Sequence, residues 1–138
     1  MVIVGAGNLG RALALHEEFP RQGYNVCGLF DSSPEVIGTQ VGKLVVRAVD
    51  ELPLVVLERN VEIGVVAVPA RSAQTVADQL VASGVMGVLN MSYSHVQTPD
   101  TVSVVEARMI SSLNLLSYAI KTQRGVTGDK ETGPCQAT

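Results

Sequence analysis

The stretch Val2-Ile3-Val4-Gly5-Ala6-Gly7-Asn8-Leu9-Gly10 constrains this chain more than any other. An unbroken apolar run fits a strand buried on both faces of a parallel sheet. It passes directly into Gly-x-Gly-x-x-Gly, and the residues that follow favour helix. A strand that turns into a helix so abruptly needs one glycine for the tight bend. It needs a second where a ligand approaches the backbone and a third where helix packs on strand. The motif therefore predicts a strand-turn-helix unit whose helix N-terminus offers free N–H groups to an anion, the arrangement that holds the pyrophosphate of a dinucleotide.

The next segment supplies the acidic partner this motif requires. Leu9, Ala12, Leu13 and Phe19 read as the apolar face of a first helix reaching about Pro20, with His16 at its boundary and Gln22-Gly23 ending it. Asn25 to Phe30, with Cys27 inside, reads as a second strand that stops at Asp31-Ser32-Ser33-Pro34. Asp31 stands roughly 20 residues beyond the last glycine, where the dinucleotide fold places a carboxylate that accepts hydrogen bonds from the adenosine ribose. Its other reading is a cap for the turn before Pro34; strand end, spacing and glycine loop together favour the ribose. A carboxylate at this point repels a 2′-phosphate, so the expected cofactor is NAD(H) rather than its phosphorylated form.

Further along, elements alternate. A helical turn is expected within Glu35 to Gly42, a small strand over Leu44 to Arg47, and a helix capped by Asp50 with Pro53 in its first turn. Val61 to Val68 reads as a core strand ending at Pro69-Ala70. A helix capped by Ser72 and closed by Gly84 follows, with Ala73, Val76, Ala77, Leu80 and Val81 at helical spacing. Arg71 reads as a solvated residue of its first turn, with a phosphate contact as the lesser alternative. Val85 to Leu89 makes another strand, with Asn90-Met91-Ser92 at its end, and Thr101 to Glu106 an edge strand. Since ligands sit at the C-terminal ends of strands in such sheets, Val68, Pro69, Ala70, Asn90 and Met91 are expected at the nicotinamide side. A last helix from Arg108 to about Thr122 carries Met109, Leu113, Leu116 and Ile120 on one face and Leu115 and Tyr118 on the other. Two apolar sides call for two covers. The second is another subunit, or else Leu115 and Tyr118 stay half exposed within the monomer.

Alternating strands and helices of this kind define an α/β chain with a doubly wound, Rossmann-like parallel sheet. With 138 residues, 46% of them hydrophobic, the chain suits a single domain. That domain is expected over 1–122, with a Gly-rich polar tail, expected to be disordered, over 123–138. A net charge of -3 gives no basic footprint for direct DNA binding. Cys27 and Cys135 form neither a disulfide framework nor a metal set, and no metal site is expected. No apolar run reaches membrane-spanning length and no signal-peptide pattern opens the chain, so a cytoplasmic protein is expected. No catalytic residue is assigned. His95 reads as a loop histidine, and Ser92 and Ser94 lack the setting of a nucleophile.

The chain resembles the nucleotide-binding domain of the bacterial redox-sensing transcriptional repressors of the Rex family. The resemblance rests on Gly5 to Leu13, Phe30-Asp31, Ile37-Gly38 with Val41-Gly42, Asp50-Glu51-Leu52, Val68-Pro69-Ala70, Ala73-Gln74 with Val76-Ala77-Asp78, Leu89-Asn90 and Leu116-Ser117-Tyr118. It implies a non-catalytic module that senses the NADH to NAD+ ratio. The Gly5, Ala6, Gly7, Asn8, Leu9 and Gly10 loop would hold the pyrophosphate, and Asp31, with Ser32 beside it, the ribose. Val68-Pro69-Ala70 and Asn90-Met91 would line the nicotinamide side. It further implies a homodimer that exchanges the C-terminal helix, Met109 to Ile120, and reaches DNA through a winged-helix domain that this sequence does not contain. Arg108 and Ser112 stand where the family usually has acidic residues, and Met91-Ser92-Tyr93-Ser94 where it commonly has Phe-Ala-Pro-Val. The readout is therefore expected to differ. A CoA-binding module and the cofactor half of an NAD-dependent oxidoreductase are the other readings of the same loop.

Overall fold

The computed structural model describes residues 1–107 and 109–127. Arg108 and residues 128–138, Cys135 among them, lie outside the described residues. Met1–Ala107 form one compact unit; the helix α5 (Met109–Thr127) belongs to a second.

In the first unit, β1 (Val2–Val4) leads into α1 (Asn8–Ala14) and the short α2 (Glu18–Arg21), and then β2 (Gly28–Asp31). A hairpin of β3 (Gln40–Val41) and β4 (Leu44–Val45) precedes the two-residue β5 (Arg47–Ala48), a 3₁₀ turn (Val49–Glu51) and α3 (Leu52–Arg59). β6 (Ile63–Val66), α4 (Ala70–Ser83), β7 (Gly87–Asn90) and β8 (Ser103–Glu106) complete it. The six main strands are parallel, in the order β5-β2-β1-β6-β7-β8. The chain winds outward from β1 to β5, crosses back to β6 and winds outward again. That reversal opens a crevice at the C-terminal ends of β1 and β6.

Strand alternation divides the core. Val2, Val4, Phe30 and Val66 face one way, into a cluster with Leu52, Val55 and Val56 of α3 and Ala73, Val76, Ala77 and Leu80 of α4. Ile3, Leu29 and Val65 face the other, with Leu13 and Ala14 of α1 and Val41 and Leu44 of the hairpin. Gly64 lets Leu80 pack directly on the sheet: a Cβ there would stand 2.5 Å from one Leu80 methyl, so the side chain would have to shift. On the α1 side of the sheet, a groove of about 580 Å³ stays open along the strand starts. Phe19, Tyr24, Ile63, Leu89 and Val105 line it.

Several elements depart from their sequence expectation. The first helix stops at Ala14, and Leu9 and Ala12 lie exposed on it rather than in the core. The Glu18 N–H donates to His16 Nδ1 at 3.2 Å, which diverts the backbone into α2 instead of a continuous helix to Pro20. Cys27 precedes β2, its N–H donating to the Met1 carbonyl. Leu44 to Arg47 is not one strand but two, and only Arg47–Ala48 joins the main sheet, pairing with Phe30 and Asp31. Asp50 lies within the 3₁₀ turn rather than capping α3, and α4 starts from Pro69 rather than Ser72. Gly84 does close α4 in the left-handed region, at φ 108°. In the second unit, α5 continues to Thr127, beyond the expected end at Thr122. Its Leu113, Leu115, Leu116, Tyr118 and Ile120 are exposed.

Candidate functional site

The bend from β1 into α1 is made by backbone geometry. Gly5 sits at φ 116°, and its N–H donates to the Phe30 carbonyl at 2.7 Å. A Cβ at Gly5 would collide with the Ala67 carbonyl, and one at Gly10 with the Gly5 carbonyl. Both glycines are therefore demanded by the fold itself. Gly7 differs: a Cβ there would meet nothing within 4 Å, because its α-carbon faces open space.

Asp31, at the end of β2, braces this loop. Its Oδ2 accepts the Ala6 N–H at 2.8 Å and its Oδ1 accepts the Ser33 N–H at 2.9 Å. The turn reading of Asp31 is thus realised through Ser33, while the Ala6 bond, 25 residues away in sequence, ties the carboxylate to the glycine loop. A carboxylate has about four acceptor sites, so two remain for hydroxyl donors from a bound sugar.

A crevice of about 540 Å³ opens beside the loop. It brings together Gly5, Gly7, Asp31, Ser32, Val68 and Pro69 of the sequence-predicted residues. The remaining ones are not part of its wall. Ala6 is buried and acts through its N–H; Asn8 and Leu9 are exposed on the first turn of α1; Gly10 is buried behind the loop. Ala70 opens α4 and is exposed. Met91 packs against the Ile3 cluster with its N–H on the Val66 carbonyl. Asn90 is fully buried and uses its amide internally.

Lining residues not assigned to the site from the sequence include Val49 and Asp50 after β5, and Arg71, Ser72, Thr75 and Gln79 on α4. Ser72, Thr75 and Gln79 recur at i, i+3 and i+7, a polar stripe beside the buried Ala73, Val76 and Leu80. That stripe is visible in the sequence once the helix is known to begin at the crevice. Arg71 is exposed, as expected, yet stands at the crevice wall. Among the described residues, no three His, Cys, Asp or Glu side chains group as metal ligands, and no helix is long and apolar enough to cross a membrane.

A doubly wound parallel sheet with a glycine turn at its switch point defines the class: a Rossmann-type α/β domain. The chain belongs to the CoA binding domain family, whose model matches residues 1–93. It is also homologous to the Rex redox-sensing transcriptional repressors. Over 121 residues it is 42% identical to the one from Carboxydothermus hydrogenoformans, covering 88% of this chain and 58% of that protein. The repressor from Caldicellulosiruptor saccharolyticus is 38% identical over 120 residues, 87% of this chain and 55% of that protein. The chain thus spans little more than half the length of these relatives. Among solved structures, it matches the Rex-family repressor RSP with a TM-score of 0.85 and 29% identity, over 92% of this chain and 61% of that one. RSP in complex with β-NADH matches equally well, at 0.85 and 29% over 94% and 62%. RSP with β-NAD+ and operator DNA matches at 0.81 and 28%, over 94% and 61%. These relatives are named as repressors, not enzymes, which agrees with the expected non-catalytic role.

Proposed function

We propose that this chain is an NAD(H)-binding, redox-sensing regulatory domain of the Rex type, cytoplasmic and responding to the NADH to NAD+ ratio. It controls transcription through a winged-helix domain or a partner protein. The observation that carries this reading is Asp31. Its carboxylate already shapes the glycine loop, borders the crevice and keeps acceptor sites for two ribose hydroxyls. Residues Gly5 to Gly10 hold the pyrophosphate, with the open face of Gly7 admitting it. Val68, Pro69 and Ala70 approach the nicotinamide half, together with Asn90 and Met91. A bound dinucleotide supplies the redox-dependent charge of its nicotinamide ring. The protein's part is to favour one arrangement of subunits when one form is bound. Homodimerisation through α5 is supported by its five exposed large apolar residues.

The family model favours one competing reading, a CoA-binding module. Calorimetric titration of the chain with NADH, NAD+, NADPH and CoA separates them. NADH is expected to bind at least about tenfold more tightly than NADPH, since a like charge beside Asp31 costs more than about 1.4 kcal/mol. CoA binding without NADH binding overturns the proposal. A monomeric mass in solution removes the dimer from it.

A further inference from the structure

The walls of the crevice are chemically unlike. At the strand ends stand acceptors, the Asp31 carboxylate closing β2 and the exposed Asp50 after β5. The α4 wall presents donors, Arg71, Ser72, Thr75 and Gln79. Among the described residues, no hydrogen bond or ion pair occupies the side chains of Asp50 or of these α4 residues. The other polar side chains of α4 are spent within the chain. Gln74 donates to Asp78 and to the Gln97 carbonyl, and the Ser83 hydroxyl donates to the Gln79 carbonyl. Every polar side chain of α4 is thus either bonded internally or turned to the crevice.

That separation of acceptors from donors selects a ligand. Carboxylates suit the hydroxyls and exocyclic amine of a nucleoside, whereas a guanidinium beside a hydroxyl suits phosphate. Like charge at Asp31 and Asp50 keeps a phosphate on the α4 wall. A volume of about 540 Å³ lies within the range of small-molecule sites. A dinucleotide leaves part of this wall unused, because each of its phosphates is esterified on both sides and carries less charge than a terminal one. A free terminal phosphate carries about two negative charges at neutral pH, and a cation answers it. We infer that the crevice is also a site for an adenine nucleoside diphosphate, whose terminal phosphate is held by Arg71 and Ser72. The choice of base rests on the NAD(H) reading; the terminal-phosphate site goes beyond it. ADP then competes with NADH for Asp31 and the glycine loop, so NADH occupancy falls as ADP rises.

The test titrates ADP, ADP-ribose and NADH, in magnesium-free buffer, into the unsubstituted chain, Arg71→Gln and Arg71→Lys. ADP is expected to bind and to displace NADH competitively. Arg71→Gln should weaken ADP about tenfold, the order of one charge-assisted hydrogen bond. ADP-ribose, whose second phosphate is esterified, should lose no more than about threefold, and Arg71→Lys should keep ADP within about threefold of the unsubstituted chain. Failure of ADP to bind, or binding that leaves NADH in place, overturns the inference. So does an Arg71→Gln chain in which ADP is undiminished or falls no further than ADP-ribose. ADP binding with the expected Arg71 dependence but no NADH binding removes the NAD(H) reading and leaves this site standing.

Discussion

The two sides of the sheet's C-terminal edge, the crevice at β1–β2 and the loop after β7, are built from different materials. On the β1–β2 side, shape comes from the backbone: two glycines that admit no Cβ, a left-handed φ at Gly5 and a carboxylate bonded to main-chain N–H groups. On the β7–β8 side, shape comes from side chains, the buried Asn90 amide, the Ser92 hydroxyl, the His95–Glu106 pair and the Gln74 amide. Backbone geometry tolerates almost no substitution but is indifferent to neighbouring side-chain chemistry. A side-chain clamp can be rebuilt residue by residue. The first side is fixed by the fold itself, and the second by partners that single substitutions can remove.

Substitutions on the two sides should therefore fail differently. The largest effect is expected from Gly10→Ala, whose methyl would have to occupy the position of the Gly5 carbonyl. Neither strand nor helix can yield cheaply there, so stability should fall by about 3 kcal/mol or more. The thermal midpoint of unfolding would read this as a loss of about 10 °C or more. A midpoint within a few degrees of the unsubstituted chain breaks the claim that this side is fixed by backbone contact.

Asn90→Ala is next. It leaves the Ser94 carbonyl and the Ser92 hydroxyl without their buried partner, at a cost of about 2 kcal/mol. Unlike Gly10→Ala, its damage should be local. Hydrogen exchange should accelerate over residues 91–97 and remain slow in β1 and α1. Equal acceleration across both segments merges the two halves into one cooperative piece and dissolves the comparison.

How much was legible in the sequence follows the same division. The Gly5 to Gly10 bend and Asp31 are local backbone demands, and such demands leave fixed residue types at fixed spacings. The parallel core strands were legible as apolar runs, though each came out shorter than its run. Asn25 and Cys27 bond to Met1, just before the paired residues of β1 and β2, and Val61 and Val68 flank β6. The two-residue β5 could not be seen, because only pairing with Phe30 and Asp31 makes Arg47–Ala48 a strand. The helix break after Ala14 comes with a local bond from the Glu18 N–H to the His16 ring, which periodicity does not report. Asn90 was expected to meet the ligand because it ends a strand. Its buried amide also serves its own loop, and the partners at Ser92 and Ser94 that show this could not be read from the strand end.

The smallest effect on stability, and the sharpest use of the comparison, comes from Gly7→Ala. Gly7 has φ -77° and ψ -165°, extended backbone open to any residue, and its Cβ position is empty. Alanine therefore strains nothing in the fold. The narrower unfolded ensemble favours alanine and the N-cap position favours glycine, so the two effects nearly cancel and stability should change by less than about 0.5 kcal/mol. The same methyl, however, would stand in the crevice where the pyrophosphate comes against the backbone. Affinity for both NADH and ADP-ribose, which lacks only the nicotinamide, should fall by about tenfold or more. A melting temperature that barely moves while ligand affinity falls identifies Gly7 as a glycine kept for a ligand. A Gly7→Ala chain that binds both ligands undiminished would place the pyrophosphate elsewhere.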